Sequence, residues 1–155
     1  MRLLKENTCA IVIDIQEKLV PVMTNNDMLL QNTGILIGGL QTLNIPVIST
    51  VQYKKGLGDT VEELRTLLGD HPNFEKASFS CCDDTSILHA IKQLDKKCVI
   101  VLGIESHICV QQTVLDLLDN GFTPVLIENC VSSRRANDKA VAIERMRQAG
   151  AIITT

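Results

Sequence analysis

Three residues able to share nucleophilic chemistry stand far apart in the chain: Asp14, Lys76 and Cys109. Asp14 lies in the run Ile11-Val12-Ile13-Asp14-Ile15-Gln16, where a carboxylate behind apolar strand residues is costly to bury unless something pairs or uses it. A helix cap or a structural ion pair is the alternative reading of that position. Cys109 follows Gly103-Ile104-Glu105-Ser106-His107-Ile108 and is expected to open a helix running through Leu118. A thiol in the first turn of a helix feels the positive end of the macrodipole and several free amides, both of which favour thiolate. Packing as a small hydrophobe is the plainer alternative. Lys76 sits in a segment holding Phe74 and Phe79, two of the three phenylalanines of the chain. Aromatic walls would desolvate its ammonium and strengthen pairing with a carboxylate, whereas an exposed loop lysine would need no partner.

The elements that would position these residues follow from the apolar pattern. Five short runs read as strands: Thr8 to Ile15, Ile45 to Val51, Cys98 to Leu102, Thr123 to Ile127 and Ala151 to Thr154. Their near-continuous Val/Ile/Leu content predicts strands buried on both faces, as in a parallel sheet. Between them, Leu29, Thr33, Leu36, Ile37, Leu40 and Leu43 form one helical stripe, and Val110, Val114, Leu117 and Leu118 form another. Ile87, Leu88, Ile91 and Leu94 repeat the spacing, and helical stretches at 61–68 and 138–148 complete the set. Such alternation predicts an α/β fold: a three-layer, doubly wound (Rossmann-like) parallel sheet with helices on both faces. In a sheet ordered 2-1-3-4-5 the first and third strands are neighbours, so Asp14 and Cys109 meet at the switch point. The segment Gly69 to Asp84 reads as a long functional loop carrying Lys76.

Composition narrows the partners. The chain has 155 residues, enough for a single domain spanning 1–155 with its own core. A net charge of −3 offers no footprint for nucleic acid or anionic lipid, so a small-molecule substrate is expected, with no nucleic acid and no membrane. One strand-like run begins by Thr8, too early for a cleavable signal, and no apolar stretch approaches the ~20 residues of a membrane span. A soluble, cytoplasmic protein is expected, with its six cysteines as free thiols. Cys9, Cys98 and Cys130 read as packing residues. Cys81-Cys82 read as surface or pocket-lining thiols more readily than as a strained redox pair. His71 and His89 read as a loop residue and a helix-face residue.

Several segments together resemble the isochorismatase-like cysteine hydrolase superfamily. They are Ile11-Val12-Ile13-Asp14-Ile15-Gln16, the Phe74-Glu75-Lys76 and Ser78-Phe79 segment, Gly103-Ile104-Glu105-Ser106-His107-Ile108-Cys109-Val110 with Gln112-Thr113, Val131-Ser132-Ser133-Arg134, and Glu144 to Ala151. The cysteine segment is the specific one. The resemblance implies a triad in which Asp14 takes the thiol proton, Lys76 holds the charges in register and Cys109 attacks a carbonyl carbon, usually of an amide. It also implies a cis peptide at Ile104–Glu105, with the amides of Glu105 and Cys109 forming an oxyanion hole. Gln16, Gln52, Tyr53, Phe79 and His107 are expected to line the substrate pocket, with His107 in the turn before the helix and not acting as the base.

Two departures from the superfamily carry expectations of their own. Its nicotinamidases hold a divalent metal through an Asp-x-His element after the second strand, where this chain has Val51-Gln52-Tyr53-Lys54-Lys55-Gly56-Leu57-Gly58. No catalytic metal and no cofactor are expected, and the Gln52-Tyr53-Lys54-Lys55-Gly56-Leu57-Gly58 pattern resembles the small branch of the superfamily whose substrates are unassigned. The chain also stops after the fifth predicted strand, where relatives usually continue into a further helix, so that helix is expected to be absent and a homo-oligomer to cover the sheet. Two other classes of function stay open on sequence: a catalytically idle relative serving as an oligomeric binding protein, and a receiver-like phosphoacceptor module. The latter leaves the Cys109 segment unexplained.

Overall fold

The computed structural model describes residues 2–155. Among these, six strands form one sheet: β1 (Thr8–Ile13), β2 (Val47–Gln52), β3 (Asn73–Lys76), β4 (Cys98–Ile104), β5 (Thr123–Ser132) and β6 (Ile152–Thr154). Their spatial order is β3-β2-β1-β4-β5-β6 and every pairing is parallel. The five strands read from sequence thus take the expected 2-1-3-4-5 order, with one further strand at the edge.

Helices cover both faces because successive strand residues point to opposite sides. Cys9, Ile11 and Ile13 of β1 face the same core as Val99 and Val101 of β4. That core is closed by Ile87 and Ile91 of α4 (Thr85–Gln93), Val114 and Leu117 of α5 (Gln111–Asp119), and Ala142, Ile143 and Met146 of α6 (Ala136–Ala149). The alternate residues Ala10, Val12, Ile100 and Leu102 face the other core. Leu29, Ile37 and Leu40 of α1 (Asn26–Thr42) and Leu64 and Leu68 of α3 (Glu62–Leu68) close it. A single turn, α2 (Lys54–Leu57), follows β2. Each fully buried Ile or Leu in these layers contributes about 1.5–3 kcal/mol relative to exposure. Asp84 caps α4 by accepting from Ser86 N at 2.9 Å and Ile87 N at 3.4 Å.

The structure corrects the expected boundaries where apolar pattern runs out. The segment expected to be one long loop contains β3, paired with β2 from Ser49–Asn73 to Gln52–Lys76. Asn73 and Glu75 of this edge strand are exposed, so it carries no apolar run. Lys76 is therefore the last residue of a strand. β5 continues past Ile127 through the exposed Glu128 and Asn129, beside a register break between Val101 and Gly103 of β4. β1 ends two residues early, at Ile13, because Asp14 turns into the left-handed region at φ 52°. The helix expected to open at Cys109 is wound from Ser106, through a π-helical turn over Ser106–Val110 that leads into α5.

Gly103 shows how closely β1 and β4 approach beneath this turn. It pairs with Ile13 at φ 129°, and a Cβ there would lie 2.1 Å from the Ile13 carbonyl oxygen. Only glycine adopts that conformation in that space.

Candidate active site

Asp14, Lys76 and the Ser106–Val110 turn meet beyond the carboxyl ends of β1, β3 and β4, the place where parallel α/β sheets gather ligands. The left-handed backbone at Asp14 lets its amide donate to the Thr50 carbonyl at 3.2 Å while its carboxylate turns inward. Oδ1 accepts from Thr50 Oγ1 at 2.8 Å and Oδ2 accepts from Lys76 Nζ at 2.7 Å. The Lys76 ammonium also donates to Gln52 Oε1 at 2.7 Å and to the carbonyls of Ser78 and Phe79, each at 3.1 Å. Its hydrogen-bond partners are thus polar atoms; of the two expected aromatic neighbours, Phe79 is 53% exposed and reaches the ammonium through its carbonyl, while Phe74 packs against the core on the same face of β3 as Lys76. Burial acts to lower the Lys76 pKa, but the Asp14 carboxylate, with Cys109 and Cys81 beside it, overrides this and raises it.

Cys109 is 7% exposed. Burial pushes its thiol up to about 12, the Asp14 carboxylate pushes the same way, and Lys76 pulls it down. Desolvation and the neighbouring carboxylate outweigh the pull of the helix terminus, so the sulfur rests as a thiol beside the carboxylate.

The peptide bond Ile104–Glu105 is cis. The Glu105 carbonyl accepts from the amides of Ile108 at 3.0 Å and Val110 at 3.3 Å, which starts the turn that carries Cys109. Its carboxylate, 6% exposed, is held by Arg134 N and Arg134 Nε, both at 3.1 Å. His107 lies within the wound turn, not in a loop before it. Its Nδ1 pairs with Ser133 Oγ at 2.9 Å and its Nε2 is 4.0 Å from Asp138 Oδ2.

The other expected pocket residues separate into braces and rims. Gln16 is fully buried, donates to the carbonyls of Gln52 at 2.9 Å and Gly58 at 2.8 Å, and accepts from Gln52 N at 2.7 Å. Gln52 spends its side chain on Lys76 and, at 2.8 Å, on the Ala77 carbonyl. Tyr53, at φ 40°, is 57% exposed. Neither the occupied amide of Gln52 nor the exposed phenol of Tyr53 suits a divalent metal, and among the described residues no group of three or more His, Cys, Asp and Glu is arranged to hold one. A cavity of about 160 Å³ lined by Asn32, Asn129, Ser132 and Lys139 lies at the end of β5 and includes neither Asp14, Lys76 nor Cys109. The chemistry-bearing groups, not that cavity, define the candidate site.

Sequence reasoning missed Thr50, whose hydroxyl orients Asp14, and Arg134 as the partner of Glu105. It also left Cys81 as a surface or pocket thiol, whereas Cys81 is fully buried beside Lys76 and Asp14. A threonine at the end of β2, level with the end of β1, was the one available signal for Thr50.

Residues 8–155 match the isochorismatase domain family. The chain belongs to the isochorismatase family. It is 40% identical over 159 residues to isochorismatase family protein 1A of Dictyostelium discoideum, covering 98% of this chain and 76% of that protein. Its fold superposes on that of the MAR1 ribonuclease from Caenorhabditis elegans with a TM-score of 0.94 and 38% identity, covering 100% of this chain and 80% of that one. It is also similar to the YcaC gene product of Escherichia coli, described as an octameric hydrolase of unknown specificity, with a TM-score of 0.96 and 25% identity over 100% of this chain and 78% of that one. Within the described residues of this family member, no helix is long and apolar enough to cross a membrane.

Proposed function

We propose that the protein is a cysteine hydrolase of small-molecule amides, acting through Asp14, Lys76 and Cys109 and a thioester acyl-enzyme. The observation that supports this most is the buried contact between Lys76 Nζ and Asp14 Oδ2 at 2.7 Å, with the buried Cys109 thiol near enough for that carboxylate to raise it. In this reading the Cys109 sulfur attacks the carbonyl carbon as Asp14 takes the thiol proton. The amides of Glu105 and Cys109 receive the developing oxyanion. Collapse breaks the C–N bond, and the proton on Asp14 leaves with the amine. Asp14 then draws a proton from water as that water attacks the thioester, and returns it to the sulfur as the carboxylic acid departs. Lys76 keeps the carboxylate charged and aimed throughout. No step needs a metal or a cofactor.

The Tyr53 and Phe79 rings and His107 would form the rim that meets the substrate. Assembly into a homo-oligomer belongs to the same reading, supported by the octameric relative and by exposed Met28, Ile35 and Val141 at 60%, 69% and 60%. A cytoplasmic setting is supported by six free cysteines.

The test is a screen of small neutral carboxamides with intact-mass detection of an acyl adduct, run beside Cys109→Ala and a single-stranded RNA arm. Turnover and a Cys109 adduct in the parent, both lost in Cys109→Ala, support the reading. Cleavage of RNA without amide turnover would replace it with the activity named for the nematode relative. Silence toward every substrate would leave an idle binding relative.

A further inference from the structure

Cys81 is the buried nucleophilic side chain that the proposed reaction leaves unused. Its place is fixed from two directions. The chain after Lys76 folds back so that the carbonyls of Ser78 and Phe79 cap the ammonium, each at 3.1 Å, and two residues later it reaches Cys81. From the other side, the Cys81 amide donates to Thr113 Oγ1 at 3.0 Å, and Thr113 stands one helical turn beyond Cys109 on the same face. Ser80 Oγ ties the same segment to Asp116 Oδ2 of α5 at 2.5 Å.

The Cys81 side chain therefore lies in the same buried cluster as Cys109. The Asp14 and Lys76 charges both act on its thiol, and the Thr50 hydroxyl donates to Asp14 Oδ1 at 2.8 Å. The same carboxylate raises the Cys109 thiol, and the Lys76 ammonium pulls both thiols down. Two thiols thus flank one ion pair. Cys82 is set apart from it: its neighbours are Cys81, Asp116, Ser80 and Asp83.

We propose that Cys81 is the resolving partner of Cys109, so that hydrogen peroxide converts the site to a Cys81–Cys109 disulfide that halts acyl transfer until a dithiol reduces it. The proposal rests on the reading of Cys109 as the nucleophile. In the first step the Cys109 sulfur attacks one peroxide oxygen and the O–O bond breaks. The thiol proton passes by way of Asp14 to the leaving hydroxide, giving a sulfenic acid and one water. In the second, the Cys81 sulfur attacks the sulfenic sulfur, the S–OH bond breaks, and the Cys81 proton leaves with the hydroxide as a second water. Two thiols are oxidised by two electrons and one peroxide is reduced to two waters. In this scheme the internal thiol intercepts the sulfenic acid before it reaches the irreversible sulfinic state.

The experiment treats the full chain with hydrogen peroxide at neutral pH, then alkylates and digests it without reductant for peptide mass spectrometry. The expected product is a Cys81–Cys109 cross-linked peptide about 2 Da below the sum of its reduced parts, reversed by dithiothreitol. In Cys81→Ser, and in Cys81→Met as a second variant that fills the buried volume, the over-oxidised fraction of Cys109 should rise on the order of ten-fold. A Cys81–Cys82 link would overturn the proposal, as would over-oxidation of Cys109 at equal rates with and without Cys81, or no reaction at Cys109. Because the readout is covalent mass, its failure stands apart from that of the hydrolase reading, which is decided by turnover of carboxamides in the parent and its loss in Cys109→Ala.

Discussion

Lys76 Nζ lies 2.7 Å from Asp14 Oδ2, and both side chains are wholly shut off from solvent. Desolvating two charges costs several kcal/mol each, and their attraction offsets this only when the remaining protons and lone pairs are also satisfied. Here they are, by Thr50 Oγ1 on the carboxylate and by Gln52, Ser78 and Phe79 on the ammonium. Removing one partner leaves the other charge stranded. Lys76→Met and Asp14→Asn should each destabilise the fold by about 3–5 kcal/mol in urea unfolding, and the double variant Asp14→Leu/Lys76→Met should lose less than the sum of its parts.

The buried thiols set the alkaline limit of stability. Burial raises Cys9, Cys82 and Cys109 from 9.0 to about 12, and Cys81 and Cys130 to about 11. The unfolded chain ionises these groups first, so their contribution is fully present below pH 9 and is lost as pH rises toward 11–12. The raised Lys76 acts in the same direction. Thermal midpoints should fall steeply above pH 9, and Cys130→Ala should flatten the slope by up to about 1.4 kcal/mol per pH unit.

Backbone contact between β1 and β4 is as tight as any side-chain contact in the site. A Cβ at Gly103 would meet Ile13 O at 2.1 Å and Ile13 N at 2.7 Å, directly before Asp14. Gly103→Ala should therefore cost on the order of 3 kcal/mol and slow iodoacetamide labelling of Cys109 in the fraction that still folds, because Asp14 and the Cys109 turn shift together. Unchanged urea midpoints would show that β4 can move aside.

Buried parallel strands are legible as apolar runs, which is why β1, β2, β4 and their order could be read before any coordinates. β3 could not: its exposed Asn73 and Glu75 break the run, and an edge strand is held by backbone pairing that any residue can make. β5 was truncated for the same reason at Glu128. In the site, Asp14 and Cys109 stood out because a carboxylate ends an apolar strand and a thiol begins a helix. Lys76 needed the topology, since its segment alone looks like a loop. Thr50 offers only its position level with the end of β1, and Cys81 offers no signal, because a strand threonine and a buried cysteine have ordinary roles in most folds. The upward push on the Cys109 thiol has no sequence signal, because helix position is visible in sequence and burial is not.

Glu105 and Arg134 join the cysteine turn to the end of β5. The Arg134 amide and its Nε each hold one Glu105 carboxylate oxygen at 3.1 Å, and the Glu105 carbonyl starts the turn that presents Cys109. Arg134 is a positioning residue in this arrangement, acting through Glu105. Arg134→Ala removes only the side-chain bond and leaves the backbone one, so the fold should survive with a loss of about 1.5–3 kcal/mol, the range for a hydrogen bond to a charged group. A purely structural bond would lower stability and nothing else. If the pair also aligns the Glu105 amide, kcat should fall while KM holds, and Arg134→Lys, which keeps the charge but not the fork, should recover stability more fully than rate. Equal recovery of both would assign the pair to folding alone.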